Sequence, residues 1–116
     1  MQYISTRGQA PEVSFPDVLL TGLARDGGLF VPSVWPRLSH DDLRGLARLP
    51  YPEAAARILL PFMDGIGGDE LAAMTQAAYA GFSDPAIAPL RQLSEGHWLL
   101  ELFHGPTLAF KDVALQ

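Results

Sequence analysis

Leu100-Glu101-Leu102-Phe103-His104-Gly105-Pro106-Thr107-Leu108-Ala109-Phe110-Lys111-Asp112 runs from strand-forming residues, through a Gly-Pro turn, into residues that suit a helix. Gly105 and Pro106 make the turn tight, and Thr107 is placed to cap the new helix with its hydroxyl. Lys111 then falls in the first turn, where the helix dipole disfavours a cation. Its neighbours Leu108, Ala109 and Phe110 are expected to desolvate it as well, so both effects favour the neutral amine, the form that condenses with aldehydes. The competing reading is a solvated surface lysine, and on physical grounds alone that reading leads. Lys111 is the single lysine among eight basic residues. Genomic base composition is the ordinary source of such a bias, but arginine cannot deprotonate to a nucleophile and lysine can.

Upstream of this segment the pattern is extended. Leu90 to Leu93 and Trp98 to Phe103 read as two strands joined by the Ser94-Glu95-Gly96 turn. Ser83-Asp84-Pro85 and Pro89 mark a boundary, before which the pattern is helical. Asp69 to Phe82 predicts a helix with Leu71, Met74, Ala78 and Phe82 on one stripe and the acidic Asp69 and Glu70 at its positive end. Another helix begins near Pro52, with Ala55, Ile58, Leu59 and Phe62 on its buried face and Pro61 ending or kinking it. Ser39 with Asp42, and Ser14 with Asp17, have the spacing of helix-capping pairs. The first of these helices is closed by Pro50 and the second stops near Gly22. Met1 to Thr6 reads as an opening strand, and Leu29-Phe30-Val31 as a strand stopped by Pro32 after an Asp26-Gly27-Gly28 turn. The helical stripes are assigned to core packing. The class is α+β: a small domain of helices packed with short β-strands over residues 1–88, then the first strands and helix of an incomplete α/β unit over 89–116.

Composition excludes several functions. With 48% hydrophobic and 18% charged residues the chain is globular rather than disordered. Its longest nearly apolar run, Ile58 to Met63, is far too short to span a bilayer. The opening residues lack the charged and apolar regions of a secretory signal, so a cytoplasmic setting is expected. With no cysteine and three scattered histidines, no metal site is expected. A net charge of −5 with dispersed arginines argues against nucleic acid as a partner.

Three segments carry a family resemblance: Tyr3-Ile4-Ser5-Thr6-Arg7-Gly8, Gly22-Leu23-Ala24-Arg25-Asp26-Gly27-Gly28-Leu29-Phe30-Val31-Pro32, and Leu100 to Asp112. Through them the chain resembles the threonine synthase family along nearly its whole length. The most specific match is His-Gly-Pro-Thr-x-x-Phe-Lys-Asp, whose lysine binds pyridoxal 5'-phosphate (PLP) in that family. The resemblance implies a fold-type II PLP enzyme, in which a small amino-terminal domain precedes two α/β lobes. It implies Lys111 as both catalytic and cofactor-binding residue, O-phospho-L-homoserine as the small-molecule substrate, and L-threonine and phosphate as products. The Gly-rich loop that should grip the PLP phosphate is absent from these residues, so the 116-residue chain alone is expected to be inactive. Two alternatives stay open: a noncatalytic folding or interaction domain, and a related phospho-lyase acting on another phosphorylated amino acid.

The residues around Lys111 have ordinary readings too. Thr107 and Asp112 suit a helix start better than catalysis. His104 is read equally as a contact to substrate or cofactor and as a hydrogen-bonded structural residue. Phe110 is kept as a further neighbour of the site. Arg7 is able to face an anion, although a domain-packing salt bridge is the more ordinary reading. Asp41-Asp42 is a capping feature rather than a catalytic pair. The oligomeric state is not legible, but exposed strand residues such as Leu99, Leu100 and Leu102 would let the isolated piece self-associate.

Overall fold

A computed structural model describes residues 1–116, and its element order follows from local chemistry. Strand β1 (Gln2–Ser5) is the centre of a three-stranded antiparallel sheet, flanked by β2 (Val13–Ser14) and β3 (Phe30–Pro32). Side chains alternate along a strand, so Tyr3 and Ser5 share the inner face and both are buried. Pro32 is the last residue of β3, paired with Tyr3, rather than a stop before the strand's end. A proline is tolerated there because β3 is an edge strand with no neighbour on its outer side.

Tyr3 ties this sheet to the helices. Its hydroxyl donates to the Phe62 carbonyl at 2.7 Å, and its ring meets Phe15 at 6.2 Å between centroids. Burial also pushes the Tyr3 phenol above its ordinary pKa, because the ionised form is the one that loses solvation. Tyr3→Phe is therefore expected to cost about 1 kcal/mol, the usual net value of such a bond. Urea unfolding should show a lower midpoint with an unchanged slope.

Helix α1 (Phe15–Thr21) starts where Ser14 accepts from the Asp17 N–H, and ends at Gly22, whose φ of 73° lies in the left-handed region that glycine enters freely. Helix α2 (His40–Leu46) begins with a complete capping box between Ser39 and Asp42. It stops at Leu46 instead of continuing to Pro50, its last turn being weakened by Gly45. Helix α3 (Tyr51–Leu59) carries Pro52 in its first turn, and Pro61 turns its end into a single 3-10 turn, Leu60–Phe62. Helix α4 (Gly68–Tyr79) packs on α3, with the Tyr51 and Tyr79 rings edge to face at 5.0 Å. It ends at Tyr79, three residues short of Phe82.

The buried positions differ from the expected stripes. In α3 the buried residue is Ala56, while Ile58 is exposed and Ala55, Leu59 and Phe62 are half-buried. In α4 Leu71 and Thr75 are buried and Met74 is 48% exposed. Thr75 accommodates its hydroxyl by donating to the Ala72 carbonyl at 3.1 Å. Leu59 and Met74 from these stripes, together with Leu19, Val113 and Ala114, line an open apolar groove of about 530 Å³. A stripe is fully buried only where an opposing surface closes over it, and this groove is open.

Strands β4 (Leu90–Ser94) and β5 (His97–Leu100) form a separate antiparallel hairpin, turned at Glu95-Gly96 with Gly96 at φ 74°. The second strand ends at Leu100 rather than Phe103. Both strands are exposed, including Leu99 and Leu100, whereas Leu102 is half-buried. A short helix, α5 (Asp112–Leu115), is the last element. The architecture is α+β, and no helix is long and apolar enough to cross a membrane.

Candidate active site

The residues between β5 and α5 are pinned at both ends. Upstream, the Ser83 N–H donates to the His104 carbonyl at 2.9 Å, and the His104 ring lies 2.7 Å from Glu101 Oε2 through Nε2. Glu101 also faces Arg91 Nε at 3.5 Å, and Arg91 faces Asp84 at 3.6 Å. His104 is thus held by protein partners on both sides of its ring, since Ser83 Oγ stands 3.4 Å from Nδ1. Of its two readings the structural one has the contacts.

Downstream, Asp112 is the anchor. It is 3% exposed, and its carboxylate accepts from the Thr107 N–H at 2.8 Å, the Thr107 hydroxyl at 2.7 Å and the Gln116 amide at 3.1 Å. The Thr107 hydroxyl beside it, more than any other contact, holds this carboxyl below the usual carboxylate range; the Thr107 N–H and the Gln116 amide act the same way, against the opposing effect of burial. Thr107 therefore does not cap the helix with its hydroxyl. The expected cap fails because the helix starts five residues later, and Lys111 itself stands at the N-cap position with φ −62° and ψ −25°.

Between these anchors the chain makes two turns. The Leu108 N–H reaches the Gly105 carbonyl at 3.1 Å and the Asp112 N–H reaches the Ala109 carbonyl at 3.0 Å. Leu108 has φ 61°, a left-handed conformation that costs a non-glycine residue about 1 kcal/mol or more. Gly105 is buried where no side chain fits, since a Cβ would stand 2.4 Å from that of Asp112.

Lys111 is exposed, and its side chain makes no hydrogen bond or salt bridge. Its Nζ lies 5.0 Å from the centroid of the Phe110 ring. Desolvation by Leu108, Ala109 and Phe110 does not occur within these residues: Leu108 is 72% and Phe110 63% exposed, so these side chains are themselves open to solvent. The structure thus brings Thr107 and Asp112 into contact and Lys111 against Phe110, while His104 is held by Glu101 and Ser83.

A second polar centre lies in the amino-terminal sheet and was not read from the sequence. Asp26 accepts from the Ser5 hydroxyl at 2.7 Å, the Gly28 N–H at 2.9 Å and the Gln9 N–H at 3.0 Å. The Ser5 hydroxyl leads in holding its pKa below the ordinary value. Arg7 forms no salt bridge; its guanidinium donates to the Asp26 carbonyl at 2.9 Å, which corrects the ion-pair expectation. The Asp-Gly-Gly run was the only available signal. Asp41 pairs with Arg44 on the surface of α2, apart from the capping role of Asp42. No three His, Cys, Asp or Glu side chains gather as a metal-binding group.

Together the fold and this loop define an α+β amino-terminal domain leading into a turn that displays one lysine. The family model described as "Threonine synthase N terminus" matches residues 2–79. A threonine synthase from Pseudomonas aeruginosa is 53% identical over 117 residues, covering 100% of this chain and 25% of that protein. The crystal structure of a PLP-bound threonine synthase from Brucella melitensis superposes with a TM-score of 0.93 at 48% identity, over 98% of this chain and 25% of that one. Threonine synthase from Escherichia coli gives 0.85 at 34% identity, over 97% and 25%. The chain belongs to the threonine synthase family, and it spans about a quarter of the length of these relatives.

Proposed function

We propose that these residues form the amino-terminal domain (1–88) and the start of the catalytic domain (89–116) of a PLP-dependent threonine synthase. The reaction is conversion of O-phospho-L-homoserine and water to L-threonine and phosphate, the last step of threonine biosynthesis. The observation that carries this reading is the place of Lys111: the lysine of a His-Gly-Pro-Thr-x-x-Phe-Lys-Asp loop, anchored at His104 and Asp112, in a chain that superposes on a PLP-bound threonine synthase at 48% identity. The Lys111 donor fits PLP, whose aldehyde needs an accessible unpaired amine.

PLP supplies the electron sink when bound. Lys111 would hold it through the ε-amino group, and that amine, once released, would move protons at Cα, Cβ and Cγ of the substrate. Phe110 does not stand in the way. A cation over an exposed ring is worth about 0.5–1 kcal/mol, only a few-fold in population, so Nζ leaves the ring readily. The grip on the PLP phosphate and on the substrate phosphate falls to the rest of a protein of the relatives' length. The 116 residues by themselves are expected to show no turnover.

Borohydride reduction tests the assignment. The full-length protein, incubated with PLP and reduced, should carry the cofactor's mass on the peptide containing Lys111. A label on any other lysine, with Lys111 unlabelled, overturns the reading.

A further inference from the structure

Asp112 is hard to explain as a helix-start residue. It is one of three buried polar or charged side chains, in a stretch where every residue from Pro106 to Lys111 is exposed. A four-residue helix gains little from a buried carboxylate, and an acidic side chain at a helix start works equally well in solvent. What burial adds here is geometry. Two donors of one residue, the Thr107 N–H and hydroxyl, converge on the two oxygens of one carboxylate at 2.8 and 2.7 Å. This closes a ring of backbone around residues 107–112 through a bidentate contact, which constrains direction as well as distance. Gly105 forms the floor, and the 2.4 Å a Cβ would have to Asp112 shows how closely the backbone is drawn against it.

Lys111 lies within that ring and directly precedes its anchor. Its own side chain contributes no fixing contact beyond the Phe110 face. The direction in which its Cα–Cβ bond leaves the loop is therefore set by the Asp112 side, and the left-handed Leu108 is strain that the closed ring retains. We infer that Asp112, through Thr107 and against Gly105, is a positioning residue that aims the Lys111 amine at the cofactor. This rests on the PLP reading of Lys111 given above.

Direction separates from mere foldedness in a two-reagent experiment on the full-length protein, stripped of cofactor. Coupling of added PLP at Lys111 needs an aimed amine, whereas trace acylation by acetic anhydride needs only an accessible one. Both are read by mass at the Lys111 peptide, well below each variant's melting midpoint. Asp112→Ala is expected to slow PLP coupling by about tenfold to a hundredfold, the scale of a misplacement near 1 Å, with acylation kept within about twofold. Thr107→Ser, which keeps both donors, should couple at the unaltered rate, and Thr107→Val should fall between. Unchanged coupling in a folded Asp112→Ala protein overturns the inference, as does a parallel fall in coupling and acylation. Absence of coupling at Lys111 in the unaltered protein overturns the PLP reading, and this inference with it.

Discussion

Lys111→Ala in the full-length protein is expected to abolish phosphate release from O-phospho-L-homoserine while leaving the fold in place. Proton transfer by one positioned group is worth roughly 10²–10⁴-fold, and this residue is assigned both the transfers and the attachment of PLP, so the loss should reach at least the upper end of that range. Stability should hardly change, because Lys111 is exposed and contributes only its contact with the Phe110 ring. The combination is diagnostic: a structural lysine would lower the melting temperature, whereas this one should lower turnover alone. Lys111→Arg provides the sharper comparison. It keeps the charge and the cation over Phe110, but a guanidinium does not lose its proton to become a nucleophilic amine, so it should be as inactive as alanine. Near-normal phosphate release by either variant, measured with matched circular dichroism, removes Lys111 from the mechanism.

The parts of this molecule that were legible in its sequence are those decided within a few residues. Ser14 with Asp17 and Ser39 with Asp42 are contacts at i,i+3, and both helices start where those pairs place them. The Glu95-Gly96 turn and the hairpin around it are equally local. Burial was not legible, because it depends on what lies opposite. Met74 and Ile58 occupy apolar stripes at the right spacing, yet both are exposed, lining open grooves rather than a closed core. Around Lys111 the motif placed the residues and the resemblance supplied the role, but the Thr107 hydroxyl, expected to cap the helix, donates to the Asp112 carboxylate instead. Both readings use the same hydroxyl five residues before Asp112, and only the position at which the helix begins distinguishes them. The Asp26 centre joins residues 5, 9 and 28 through a fold not yet formed in the sequence, and no local pattern announces it.

That centre predicts the largest change in stability. Gly28→Ala should destabilise the amino-terminal sheet, not through backbone conformation but through space. A Cβ at Gly28 would stand 2.2 Å from Ser5 Oγ and 3.1 Å from both the Arg7 nitrogen and Asp26 Oδ1. Ser5 has no easy retreat, being 4% exposed and holding Asp26 at 2.7 Å while accepting from the Arg7 N–H at 3.1 Å. Either the hydroxyl rotates and forfeits both contacts, or β1 moves away from the turn. Overpacking of this kind costs about 1–3 kcal/mol, and the lost hydrogen bonds act in the same direction. A domain whose total stability is of order 5–15 kcal/mol should show this plainly in urea unfolding followed by circular dichroism. The cause can be isolated with Ser5→Ala, which deletes the clashing oxygen and leaves the Gly28 and Gln9 N–H groups to serve Asp26. The double variant should then be more stable than the sum of the two single losses by about 1 kcal/mol or more, since residues in contact couple on that scale. If the two losses simply add, within about 0.5 kcal/mol, Gly28 is not held against Ser5 and the glycine is there for the turn alone.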